Sequence, residues 1–142
     1  MAQHLETGGA GSWDPTGADY PDDVVAITLR DILPGPPDRL ITLADYPVVD
    51  VPGVADVTQG VQLRFRGTTD PQVCTDIADA CYELLHGLGR VSVGGPITWG
   101  VVQVVQVYRQ SYTSLGRDDN GRWEQSHNYY VEAMRPNTNN PD

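Results

Sequence analysis

Two periods of hydrophobic and polar residues dominate this chain. Across 57–67, VTQGVQLRFRG places Val57, Val61, Leu63 and Phe65 on one side of an extended segment and Gln62, Arg64 and Arg66 on the other. That two-residue alternation predicts a strand with one buried and one wet face. Across 71–86 the period lengthens. Val73, Ile77, Ala80, Cys81, Leu84 and Leu85, with Leu88 just beyond, recur at three- and four-residue steps, while Asp76, Asp79 and Glu83 point away. This is the pattern of an amphipathic helix. Asp70 stands where a side chain caps the first turn, Pro71 where its missing N–H costs nothing, and Gly87 and Gly89 where the chain must stop. Burying each large side chain of the stripe contributes on the order of 2 kcal/mol.

The remaining elements fill in around these two. Residues 22–33, DDVVAITLRDIL, space Val25, Leu29 and Ile32 helically behind two acids, which predicts a short N-terminal helix. Pro34-Gly35-Pro36-Pro37 is a stiff connector, since it lacks three backbone donors. A strand is expected over 39–46, with both faces apolar enough to leave its inward side open. Two prolines and a glycine make 47–56 an exposed connection. Gly94-Gly95-Pro96 turns the chain into a valine-rich strand over 97–111, and Asp119-Asn120-Gly121 predicts a tight turn within 112–122. A last strand covers 123–135, with Trp123, Gln125, His127, Tyr129, Val131 and Ala133 on its more apolar side.

The expected fold is therefore α+β. A mixed or antiparallel sheet of about four strands is packed by the main helix and a short N-terminal helix. One domain spans 22–136. Residues 1–21 are expected as a flexible arm, in which Trp13 and Tyr20 either anchor on a neighbouring subunit or simply ride on a loose tail, and 137–142 as a mobile C-terminal tail.

Charge narrows the function. Nineteen acidic and nine basic residues give −10 over 142 residues, which opposes non-specific adhesion to nucleic acid or to an anionic membrane. No apolar run approaches the length of a membrane span, and the first thirty residues lack the pattern of a secretion signal. Cys74 and Cys81 lie seven residues apart on one helix, about 10 Å by helical rise, too far for a disulfide. His4, His86 and His127 have no ligand spacing with them, so no metal or cofactor is expected. Nothing resembles a nucleophile with its base, and Gly94-Gly95-Pro96 lacks the lysine and helix of a phosphate loop. The row Asp76, Asp79, Glu83 fits a solvated helix face better than a catalytic set. An enzyme is not expected.

Longer stretches carry a resemblance. YPVVDVPGVADVTQGVQLRFRGTTDP, a helix ending in LHGL, and SYTSLGRDDNGRWEQSHNYYVEAMRP follow one another between 38 and 136. This segment resembles the phage minor capsid proteins assigned as tail terminators in long-tailed phages of actinobacteria. The QLRFRG strand leading to TTDP and the SLGRDDNGR hairpin before NYY are its most specific parts. The resemblance implies a structural virion protein of the tail-neck region, assembled in the bacterial cytoplasm. It implies a ring, six-fold in the family, that caps the tail tube, stops its growth and joins the head through a connector or stopper protein. Genomic DNA would pass through without specific binding.

Within that expectation, Gln62, Arg64 and Arg66 are candidate subunit contacts, because guanidinium groups pair well with a neighbour's carboxylates; a plain solvated strand face is the alternative. Asp118 and Asp119 are candidates to face the channel, although turn chemistry alone also favours aspartate there. Another neck or connector protein, a tail-tube subunit, and an adaptor domain unrelated to phage are the competing readings.

Overall fold

The computed structural model describes residues 1–16, 20–30 and 33–141. Its centre is a seven-stranded sheet with two helices on one face. In chain order the elements are α1 (Ala2–Thr7), β1 (Ser12–Trp13), β2 (Ala26–Leu29), β3 (Leu40–Asp50), β4 (Asp56–Arg66), α2 (Pro71–Leu85), a 3-10 turn (Val91–Val93), β5 (Ile97–Trp99), β6 (Val102–Arg117) and β7 (Trp123–Met134). Across the sheet the strands run β1-β2-β3-β4-β7-β6-β5. β1, β2 and β3 are mutually parallel, and every other pair is antiparallel.

The strongest periodic signals fold as their pattern predicts. β4 turns Val61, Leu63 and Phe65 to the core, opposite Tyr129, His127 and Gln125 of β7. Helix α2 opens with the Asp70 carboxylate accepting the Gln72 N–H at 3.0 Å and with Pro71 in its first turn. It buries Cys74, Ile77, Ala78, Cys81 and Leu85 against the sheet. The stripe is rotated slightly from the expected one: Ala80 faces solvent, and Val73, Leu84 and Leu88 are partly buried at its margin.

Three expectations need correction. The sheet has seven strands, not about four, because short segments complete both of its flanks. The expected N-terminal helix at 22–33 is strand β2. Its residues pair in register with β3, Ala26 with Leu40 and the β-branched Ile27 and Thr28 with Ile41 and Thr42, and all but its last residue are buried, as suits a parallel strand covered on both faces. Ile32, counted in that helix, lies outside the described residues. The N-terminal arm is not loose: Leu5 of α1 is fully buried in the core cluster, and Trp13 packs beside it. The connection expected at 47–56 is exposed except at Ala55, and half of it is strand, since β3 and β4 extend into one long hairpin with an irregular register between Pro47 and Val49.

β6 is longer than expected and carries three register shifts against β7, leaving Val105, Gln110 and Leu115 as extra residues. Bulges of this kind bend a strand and increase its twist. Near the first of them the outer edge of β6 is closed by the chain leaving α2: the Gly87 N–H donates to the Val107 carbonyl, and the Val107 N–H to Leu88. Among the described residues no helix is long and apolar enough to cross a membrane.

Candidate functional site

The two helices leave one sheet face open, and its composition follows from the alternation of the strands. Core residues of β3, β4 and β7 point towards α1 and α2. Their alternates, Ala44, Gln62, Arg64, Ser126, Asn128 and Tyr130, point away from them. This outer face is polar and internally bonded. The Tyr46 ring lies over Gly60, where an added Cβ would clash with it. Its hydroxyl donates to Asn128 Oδ1 at 3.1 Å, and Asn128 Nδ2 donates to Ser111 at 3.2 Å.

The predicted arginine row divides at this face. Gln62 is exposed. Arg64 is half-buried and donates through Nη2 to both carboxylate oxygens of Glu124, at 3.1 and 3.0 Å. It also borders a small pocket beside Arg30, Thr42 and Gln62. Arg66, expected on the wet side, is only 4% exposed. The loop carrying the prolines folds over that end of the sheet, and Arg66 satisfies its carbonyls: Nε donates to Asp38 at 2.9 Å, and Nη2 to Pro34 at 2.6 Å and Pro37 at 2.9 Å. Burial lowers the guanidinium pKa below its usual value, with the Arg122 charge acting in the same direction. Arg66 is thus a clasp inside the fold with no free fork to offer a neighbour.

Tyr20 is also occupied internally. Its hydroxyl donates to the Ile27 carbonyl at 2.7 Å and accepts the Asp14 N–H at 3.1 Å, so it ties the first loop to β2. Trp13 is half-buried and accessible along one side of β1.

Asp118 and Asp119 separate in role. Asp118 accepts from the Asn120 and Arg122 N–H groups, both at 2.9 Å, and from Arg122 Nε at 2.8 Å. Burial acts to raise its pKa, but those hydrogen bonds and the Arg122 charge outweigh it and hold the carboxyl below the usual range. Arg122 continues to the Gly35 carbonyl at 2.8 Å and to Asp38 at 3.2 Å, joining the β6–β7 turn to the proline loop. Asp119 is exposed and unconstrained by comparison.

Hydrophobic exposure, which the sequence reading did not single out, gathers at two places. Val48, Val49, Val51 and Val54 are exposed at the tip of the β3–β4 hairpin. Val91, Val93 and Val101 are exposed around β5, beside an open groove of about 580 Å³ lined by Leu88, Ile97 and Trp99. Contiguous apolar exposure of this kind marks surfaces that meet other proteins. Valines in a segment already identified as an exposed connection were the available signal for the first patch.

Among the described residues no group of three or more His, Cys, Asp or Glu converges as a metal set. Cys74 and Cys81 are free and buried. Burial, helped by the Glu124 charge, pushes the Cys74 thiol up to about 11, and burial alone pushes Cys81 to about 12. These thiols are structural.

The open features of the molecule are a polar sheet face, a valine-bearing hairpin and a second apolar patch around β5. Comparison with curated proteins gives no match. The model of a family described as bacteriophage tail terminator protein matches residues 4–135, from within α1 to just past β7, and the chain belongs to that family of structural virion tail proteins.

Proposed function

We propose that copies of this chain associate into a closed ring, six-fold in our reading, that terminates the tail tube of a long-tailed phage of an actinobacterial host. One face of the ring sits on the last ring of tube protein and stops further addition. The other receives the connector or stopper protein of a filled head. The observation that carries this reading is the family match over residues 4–135, nearly the whole chain. The ring forms in the host cytoplasm and ends in the virion neck.

Charge supports passage of DNA through such a ring. At −10 per chain, six copies carry on the order of −60, which repels a duplex instead of holding it. Asp119 is the better candidate for the channel wall, because Asp118 is engaged in the turn. Gln62, Arg64 and Trp13 remain candidates for contacts with neighbouring proteins.

Microscopy and sedimentation of the purified chain test the reading. Discrete rings of uniform size are expected. Long tubes would identify a tube subunit instead, and a monomer at every concentration would remove the ring. In infected cells, loss of this chain should give tails of uncontrolled length that do not join heads.

A further inference from the structure

We propose that the ring closes through one repeated contact, in which the acidic, valine-bearing tip of the β3–β4 hairpin of one copy docks on the valine-bearing surface beside Arg90, at 90–101, of the next. The proposal rests on the ring reading and names the junction that reading leaves open. A closed ring of identical chains needs two different patches that fit each other, because a patch that matches itself closes a two-fold pair and goes no further.

The charge pattern separates the two patches. From Leu40 to Leu63 the chain contains Asp45, Asp50 and Asp56 and no arginine, lysine or histidine. From Leu84 to Arg117 it contains Arg90, Arg109, Arg117 and His86 and no aspartate or glutamate. In a chain with nineteen acidic residues, that is a long acid-free run. Asp45 is already paired with Arg30, and Glu83 borders the Arg90 side, so the charges left to meet across the contact are Asp50 and Asp56 at the hairpin tip and Arg90 beside Val91, a local complementarity that steers encounter and fixes orientation.

Apolar exposure matches on the two sides. Val49 and Val51 at the hairpin are 48% and 50% exposed, and Val91 and Val101 on the other flank are 88% and 86% exposed. The groove beside Ile97 and Trp99 gives incoming valines a place to seat. Arg90, at the start of the 3-10 turn, lies next to this apolar surface and within the same segment that Asp50 of the neighbour would approach.

Position favours closure. β7 and β6 lie between the hairpin and β5, so the patches are separated by roughly 15–19 Å at ordinary strand spacing. Met134 pairs with both Asp56 and Gln103, which puts the hairpin tip and the start of β6 at the same end of the sheet. Rotation about an axis along the strands then carries one patch towards the other without a rise, as a closed ring requires and a helical fibre does not.

A charge swap across the contact tests the proposal in the full chain, with mass measured by light scattering against concentration. Both positions are well exposed, so folding is retained and is checked by thermal melting. Val51→Arg and Val101→Asp are each expected to weaken ring assembly by at least about tenfold, and the two together in one chain to restore it. A wild-type ring whose assembly neither single variant weakens, or a double variant no better than the singles, overturns the docking and leaves the ring intact. Single variants that keep the ring but lose tube or neck protein would assign the hairpin to that partner, which also overturns it. A wild-type chain that stays monomeric removes the ring and the docking together.

Discussion

Arg64 holds the Glu124 carboxylate by both oxygens from a single terminal nitrogen, at 3.1 and 3.0 Å, across the open face of the sheet. The partners differ in burial: the arginine side chain is 39% exposed and the glutamate side chain 11%. Removing the cation leaves a largely desolvated carboxylate, whereas neutralising the acid leaves a cation that can turn to water. Arg64→Ala should therefore cost about 2 kcal/mol, discounted for the exposed partner, and Glu124→Gln clearly less. Urea denaturation of both variants measures this. Equal losses would mean that the pair behaves as an ordinary surface ion pair.

The N-terminal segment is expected to be part of the folding unit. Leu5 is fully buried among Ile27, Ile41 and other residues of the core cluster. Leu5→Ala should lower stability by about 3 kcal/mol, in the range of core truncations, and removal of residues 1–13 should do so more severely. Thermal melting gives the answer. An unchanged midpoint for Leu5→Ala would return this segment to the status of a loose arm.

Acid should weaken the fold through His127. Burial, with the Arg109 charge, lowers its pKa from 6.5 to about 4, although Asp79 acts in the opposite direction. Its ring packs edge-on against Phe65, Nε2 contacts Gln125 Oε1 at 2.9 Å, and Nδ1 has no hydrogen-bond partner. The unfolded chain therefore takes up this proton before the folded chain does. Stability contributed by the neutral ring is full above about pH 6.5 and is lost as pH falls towards 4, by on the order of 3 kcal/mol. His127→Phe should flatten the stability profile in that window. A variant whose slope matches the wild type would sink the assignment.

Cys74 and Cys81 should be unreactive towards a thiol-specific disulfide reagent in the folded protein at pH 8, because both are buried and both are held well above their ordinary pKa. Both should react once denaturant unfolds the chain. Prompt labelling of either under native conditions would show that α2 opens far more readily than its packing implies.

The legible parts of this fold were those with a local cause. β4 and β7 alternate over many residues, the Asp70–Pro71 pair starts α2 by its own chemistry, and Asp119-Asn120-Gly121 makes the β6–β7 turn. The misread parts depend on distant partners. β2 is four residues long and is a strand because β3 lies beside it. α1 offers only Ala2 and Leu5 as apolar residues, a three-residue spacing too brief to announce a helix. Arg66 obeys the strand's alternation, yet a loop from another part of the chain covers it. Among the site residues, Gln62 and Arg64 lie on the open face as their spacing suggests, whereas Tyr20 and Asp118 are consumed by local bonds that sequence spacing does not reveal.

The three extra residues of β6 also bear on what the protein avoids. Val105, Gln110 and Leu115 each throw the outer strand out of step with a regular ladder. A second sheet approaching that margin would find its donors and acceptors aligned for only a few residues at a time, too few to zip up continuously. The chain is thereby guarded against runaway edge-to-edge aggregation, while its side chains stay free for selective contacts.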